Sequence, residues 1–141
     1  MDTRNREEIA AHGILRLGTN SDRFLIVHVE GDLDVAAMVA FQDALEPLLH
    51  QPENSQNEQD KRVLILDLSA LDFIDSTGLG VLMRLGRHLK KAERPFYFTG
   101  PQGQVLRSIR LLRMDTYLPF QPSVEEAINK IDALYKEFHE R

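Results

Sequence analysis

The chain contains VLILDL at residues 63–68, STGLGVLMRLGRHLKK at 76–91 and FYFT at 96–99. The first and last stretches are short, apolar and rich in branched or aromatic side chains, which is typical of strands buried on both faces. In the middle stretch, apolar residues recur at helical spacing and basic residues lie on the opposite side. A strand, a helix and a strand in this order are typical of a mainly parallel sheet that carries helices.

The same alternation extends in both directions from this unit. The stretch 24–29 (FLIVHV) predicts a second central strand, and a turn at 18–22 separates it from a weaker strand at 14–17, which indicates an opening hairpin. A short strand is expected at 117–120. Further helices are predicted at 35–49, 104–113 and 123–138, the last of which begins with the serine-to-glutamate spacing of a capping box.

Together these elements predict an α/β fold, a mixed and mainly parallel sheet of about five strands that carries four helices. We expect one domain at 13–141, preceded by a flexible segment at 1–12. Residues 51–60 (QPENSQNEQD) are polar throughout, so we expect a mobile loop there.

The composition excludes several classes of protein. The chain has no cysteine, so it forms no disulfide and no thiolate zinc site, and its five histidines are far apart, so we expect neither a metal nor a cofactor. A formal net charge of −5 argues against direct nucleic-acid binding. No apolar run is long enough to cross a bilayer and the charged N-terminus does not resemble a secretory signal, so we expect a cytoplasmic location and no membrane partner.

Two segments follow the carboxyl ends of the predicted central strands, where the functional crevice of an open α/β sheet lies. They are 30–34 (EGDLD) and 69–80 (SALDFIDSTGLG). Ser76 stands where a helix should begin, so it is either a plain N-cap or a serine placed for regulation. Gly78 and Gly80 in the first turn are poor helix formers; they serve either the close approach of a partner or close packing of the helix on the sheet.

A phosphate on Ser76 would be attracted by the helix dipole and repelled by neighbouring aspartates. Because these effects nearly cancel, phosphorylation is expected to leave the fold intact and to act on a partner at the surface.

Residues 63–69, 73–82 and 31–34 together resemble the STAS-domain anti-sigma factor antagonists, with DSTGLG at 75–80 as the specific block. The resemblance runs from about Phe24 to the helix start at Ser123, so the domain at 13–141 is similar to a STAS domain. It implies partner switching: an anti-sigma factor serine kinase phosphorylates Ser76, only the unphosphorylated antagonist binds that kinase, and a serine phosphatase restores the active form.

The resemblance also implies a contact surface made by the acidic loop and the helix start. The residues expected there are Asp32, Asp34, Asp75, Ser76, Thr77, Gly78, Leu79 and Gly80. Thr77 is a second candidate for the phosphoacceptor. The chain departs from the family pattern in its longer polar loop at 51–60 and at 113–117 (RMDTY), which replaces a more common apolar-glycine turn.

An enzyme is the main alternative class, because Asp32, Asp34, Asp67 and Asp75 could form a magnesium-binding cluster. No lysine follows at a strand end to neutralise a transferred phosphoryl group, and no histidine can be assigned as a base for Ser76, so we expect no catalysis. The other alternative is a non-catalytic STAS adaptor in a stress-signalling or transporter complex, without obligatory phosphorylation. The basic stripe Arg84, Arg87, His88 and Lys91 is expected to be a solvated helix face.

Overall fold

The computed structural model describes residues 14–49 and 62–139. The segments predicted to be flexible or mobile, 1–12 and 51–60, lie outside these residues. The strands of the described part are β1 (Leu15–Asn20), β2 (Phe24–Val29), β3 (Gly31–Leu33), β4 (Val63–Asp67), β5 (Leu71–Ile74), β6 (Phe96–Thr99) and β7 (Phe120–Gln121). Its helices are α1 (Met38–Leu49), α2 (Ser76–Lys91), α3 (Gly103–Leu111), α4 (Met114–Tyr117) and α5 (Val124–His139).

The main sheet has five strands in the order β1-β2-β4-β6-β7. Strand β1 is antiparallel to β2, and the other pairs are parallel. This confirms the predicted α/β fold, the opening hairpin and the mixed, mainly parallel sheet. The short strands β3 and β5 pair in parallel as a separate two-stranded sheet, which the sequence did not indicate.

The central strands are buried on both faces, as their continuous apolar runs require. On one face, Leu64 and Leu66 of β4 belong to the larger core, which also takes in side chains from α1 to α4. On the other face, Ile65 packs with Ala127 and Ile131 of α5. Burying each such leucine or isoleucine contributes roughly 1.5–3 kcal/mol, so the two cores hold the sheet from both sides.

A second set of contacts fixes the position of α5. The Arg23 guanidinium pairs with Asp132 at 2.8 Å and lies 3.9 Å from the ring centroid of Tyr135. The start of α5 is capped by Ser123, whose hydroxyl accepts a hydrogen bond from the Glu126 N–H at 3.1 Å. The serine half of the predicted capping box is therefore present.

The region from Leu111 to Phe120 differs from its sequence prediction. The strand expected at 117–120 is wrong at its start, because 114–117 form the short helix α4 and the strand begins only at Phe120. Met114 and Leu118 are both buried, and the Leu118 N–H donates to the Met114 carbonyl at 2.9 Å. Their spacing of four residues satisfies one helical turn, so α4 is a fifth helix beyond the four expected.

The contribution of the larger core to stability can be tested at Phe98. It is fully buried, and its ring centroid lies 5.6 Å from that of Phe96 and 5.2 Å from that of Phe120. We expect Phe98→Ala to lower the free energy of unfolding by about 3–5 kcal/mol, because it leaves a cavity among these rings. Urea unfolding measures the loss. Leu111→Ala, at a side chain that is 83% exposed, is the control and should change stability by less than about 0.5 kcal/mol; equal losses for both would contradict the core assignment.

Candidate functional site

The two segments singled out in the sequence meet at the two-stranded sheet. Asp32 of β3 is the register partner of Phe73 in β5, and Leu33 is the partner of Ile74. Asp34 follows β3 and Asp75 follows β5, so both residues lie at the same end of this sheet. Helix α2 starts at this end, while the chain after Asp34 turns into α1.

Asp75 fixes this junction. Its extended backbone precedes α2, and its Oδ1 accepts a hydrogen bond from the Gly78 N–H at 2.9 Å. Its Oδ2 accepts from the Val35 N–H at 3.2 Å, and its own N–H donates to the Leu33 carbonyl at 3.3 Å. One carboxylate thus caps α2 and ties the helix to the segment after β3.

The interpretation of Ser76 as a plain N-cap is wrong, because the cap is Asp75. Ser76 is the first residue of α2; its side chain is exposed, and it makes no hydrogen bond with the described residues. Thr77 is partly buried. The structure therefore leaves the Ser76 hydroxyl with no capping role, at a helix start that favours negative charge.

Asp34 has a local structural role as well. Its Oδ1 accepts from the Ala37 N–H at 3.0 Å, and its carbonyl accepts from the same N–H at 3.1 Å. This closes the turn that leads into α1, and Asp34 is partly buried there. Asp32, two residues earlier, is exposed.

The two glycines of the first turn of α2 differ in their surroundings. A Cβ on Gly78 would lie 2.1 Å from the Leu33 carbonyl oxygen, a backbone atom that cannot move aside cheaply. A Cβ on Gly80 would meet nothing nearer than 3.7 Å, at the tip of Arg84. Gly78 therefore serves close packing of α2 against β3, while Gly80 leaves an uncovered surface beside Ser76. Leu79 is 7% exposed and packs into the core.

Three apolar side chains near this junction are exposed, which the sequence did not predict. Val35 is 65% exposed, Val39 58% and Phe73 41%. Val35 and Val39 are four residues apart and lie off the stripe formed by Met38, Phe41 and Leu45, so the sequence did contain a second, weaker stripe. Together with Asp32, Ser76 and Gly80 they give the junction a mixed apolar and polar surface, which we call the switch surface.

The amide of Gln104 supports this surface from the side. Its Nε2 donates to the Ile74 carbonyl at 2.7 Å and its Oε1 accepts from the Ile74 N–H at 3.0 Å. The Gln104 side chain thus pairs with β5 as a neighbouring strand would. Strand β5, which leads into Asp75, is therefore hydrogen-bonded to β3 along one edge and to Gln104 along the other.

Asp67 does not join the other three aspartates. Its carboxylate lies 2.7 Å from His28 Nδ1 and accepts from the Ser69 hydroxyl at 3.0 Å and the Thr99 hydroxyl at 3.3 Å. This network lies at the carboxyl ends of β2, β4 and β6. Asp67 is 93% buried, and these hydrogen bonds satisfy its carboxylate. Among residues 14–49 and 62–139, no group of three acidic or histidine side chains is arranged to hold a metal ion.

The described residues include no helix that is both long and apolar enough to cross a membrane. These features define a small α/β domain, with a five-stranded main sheet covered by helices on both faces and an exposed serine at a helix start. A model of the STAS domain matches residues 19–127, which is most of the chain. The chain belongs to the STAS domain family.

Individual relatives are distant. The anti-sigma-B factor antagonist of Staphylococcus aureus is 26% identical over 89 residues, which cover 63% of this chain and 75% of that protein. The structure of the anti-sigma factor antagonist SpoIIAA in its unphosphorylated form matches with a TM-score of 0.58 and 17% identity, over 84% of this chain and 97% of that one. The murine anion transporter Slc26a9 matches with a TM-score of 0.66 and 20% identity, over 82% of this chain but 19% of the transporter. At these identities the two structures show the fold alone.

The two glycines provide a matched test of the junction. We expect Gly78→Ala to destabilise the protein by at least about 1–3 kcal/mol, because the new methyl group forces α2 away from the Leu33 carbonyl. Gly80→Ala should be neutral or stabilise by up to about 1 kcal/mol, since alanine is the better helix former. Thermal unfolding of the two variants measures the difference, and equal stability would show that α2 does not pack on β3 in this way.

Proposed function

We propose that this protein is an anti-sigma factor antagonist that binds an anti-sigma factor serine kinase through the switch surface. Phosphorylation of Ser76 by that kinase ends the binding, and a serine phosphatase restores it. The observation that carries the proposal is the Ser76 hydroxyl, which is exposed at the start of a 16-residue helix while the neighbouring Asp75 does the capping. The protein is proposed to act in the cytoplasm and without catalysing a reaction.

The chemistry of the switch surface supports binding of a protein partner. Val35, Val39 and Phe73 expose apolar area, and burying such area drives association. Exposed Asp32 and partly buried Asp34 add negative charge, so a basic rim on the partner would complement it. Gly80 leaves the backbone beside Ser76 uncovered, which gives a kinase access to the hydroxyl.

A phosphate on Ser76 changes this surface more than it changes the fold. It adds about 1.5–2 negative charges beside Asp75, on a surface already bordered by Asp32. The helix start attracts the phosphate by roughly 0.3–1 kcal/mol, which offsets part of the repulsion. A partner that packs on the exposed apolar side chains of this surface would have to desolvate the phosphate, so binding should be lost while the domain stays folded.

A second candidate function is a non-catalytic adaptor in a stress-signalling or transporter complex. The similarity of fold to Slc26a9 favours it, since this chain matches 19% of that anion transporter chain. In an adaptor, Ser76 would carry no obligatory phosphate. Incubation of the protein with a candidate kinase and ATP separates the two functions.

A negative charge at Ser76 should interfere with binding to the kinase. We expect Ser76→Asp to weaken binding about tenfold or more, because a carboxylate stands where the partner must pack. Isothermal titration calorimetry with a candidate anti-sigma factor kinase from the same genome measures this effect. Asn129→Asp adds the same charge at an exposed position of α5, on the opposite face of the sheet, and should bind within about twofold of wild type. Wild-type affinity of Ser76→Asp would rule out the switch.

Ser76, and not Thr77, is expected to be the phosphoacceptor. With the kinase and ATP, wild-type protein should gain one phosphate, and peptide mass spectrometry should place it on Ser76. Ser76→Ala should gain none, whereas Thr77→Ala should be phosphorylated like wild type, because Thr77 is partly buried. Phosphate on Thr77 would move the switch by one residue, and an unmodified wild-type protein would favour the adaptor.

A further inference from the structure

A basic and apolar surface lies at the far end of α3, away from the switch surface. It consists of Arg107, Arg110, Leu111, Leu112, Arg113 and Tyr117, which we call the α3–α4 patch. We propose that this patch binds the surface of an anionic phospholipid membrane, with the leucines inserted between headgroups and the arginines on lipid phosphates. The patch does not depend on the proposed kinase interaction.

The apolar part of the patch is unusually exposed. Leu111 is 83% exposed, Leu112 54% and Tyr117 58%. Single exposed leucines are common on proteins, but two in sequence, with an exposed tyrosine in the helix that follows, make this end of α3 unusually apolar. A leucine that is 83% exposed protrudes, so it can enter a soft surface that closes around it, as the headgroup region of a bilayer does.

The charge around these leucines is complementary to anionic lipid. Residues 104–117 contain three arginines and one acid, although acids outnumber Lys and Arg by 22 to 17 in the whole chain. Arg107, Arg110 and Arg113 are exposed, and none forms an ion pair within the described part of the chain. Asp115 is the exposed acid of α4. Since exposed charges beyond about 10 Å are screened at moderate ionic strength, this local excess outweighs the net charge of the whole chain.

Arg113 supplies an independent observation. Its backbone has φ 54 and ψ 32, the left-handed conformation that glycine adopts freely and other residues adopt rarely. An arginine at this position is unfavourable for the α3–α4 turn itself. Its guanidinium, next to Leu112 on an exposed turn, is what a lipid-binding surface requires.

The position of the patch leaves the switch surface accessible. Gln104, at the start of α3, pairs with β5 beside Asp75, whereas Leu111 ends the helix. The two positions are about 10 Å apart along the helix axis. The expectation of no membrane partner rests on the lack of a spanning stretch, and a peripheral contact needs none.

Vesicle co-sedimentation of the full chain tests the proposal. We expect the wild-type protein to sediment with vesicles of phosphatidylcholine containing about a third phosphatidylglycerol, and at least about fivefold less with phosphatidylcholine alone or at high salt. Arg107→Glu with Arg110→Glu, and separately Leu111→Gln with Leu112→Gln, should each reduce binding about tenfold.

Two further variants separate the patch from general effects. Arg84→Glu with Arg87→Glu changes the net charge by the same amount on α2 and should bind like wild type. Arg113→Gly should weaken vesicle binding severalfold while the protein unfolds at the same or a higher temperature, because glycine suits the left-handed backbone. The proposal would be overturned if the wild-type protein did not sediment with the anionic vesicles. This includes the case in which it binds polyglutamate, an acidic polypeptide, instead. Equal losses from the α2 and α3 charge reversals would overturn it as well.

Discussion

The carboxylate of Asp75 holds together the two parts of the chain on which the candidate site depends. One oxygen accepts from Gly78 at the start of α2 and the other from Val35, 40 residues away in sequence. Because Asp75 takes the capping role, the next residue, Ser76, is left with an exposed hydroxyl at the positive end of the helix. Capping and the proposed phosphorylation thus fall on neighbouring residues, so a change at Ser76 need not undo the helix start.

The parts of the fold that the sequence predicted are those with strong local patterns. Strands β2 and β4 are continuous apolar runs buried on both faces, and α5 carries a recognisable serine cap. Strands β3 and β5 have three and four residues, too few for a periodicity to be visible. The helix α4 was not predicted because four residues with one buried methionine show no period, and the strand was expected to begin at Tyr117, the last residue of this helix.

The sequence predicted which segment forms the candidate site, but it did not predict which residue of that segment has which role. Aspartate and serine both cap helices, so nothing local distinguishes Asp75 from Ser76 as the cap. The different roles of Gly78 and Gly80 depend on the Leu33 carbonyl, which reaches α2 only through the tertiary fold. The apolar side chains of Val35, Val39 and Phe73 are exposed for the same reason: their surroundings are set by elements distant in sequence.

The pairing of Gln104 with Ile74 has a consequence for the protein at high concentration. A two-stranded sheet presents backbone N–H and C=O groups along its edges, and an open edge invites strands of other molecules to add to it. On the α3 side, the amide of Gln104 occupies both the donor and the acceptor of Ile74. A single side chain thereby blocks strand addition next to the switch surface, so exposed apolar groups can remain there for a partner with less risk of aggregation.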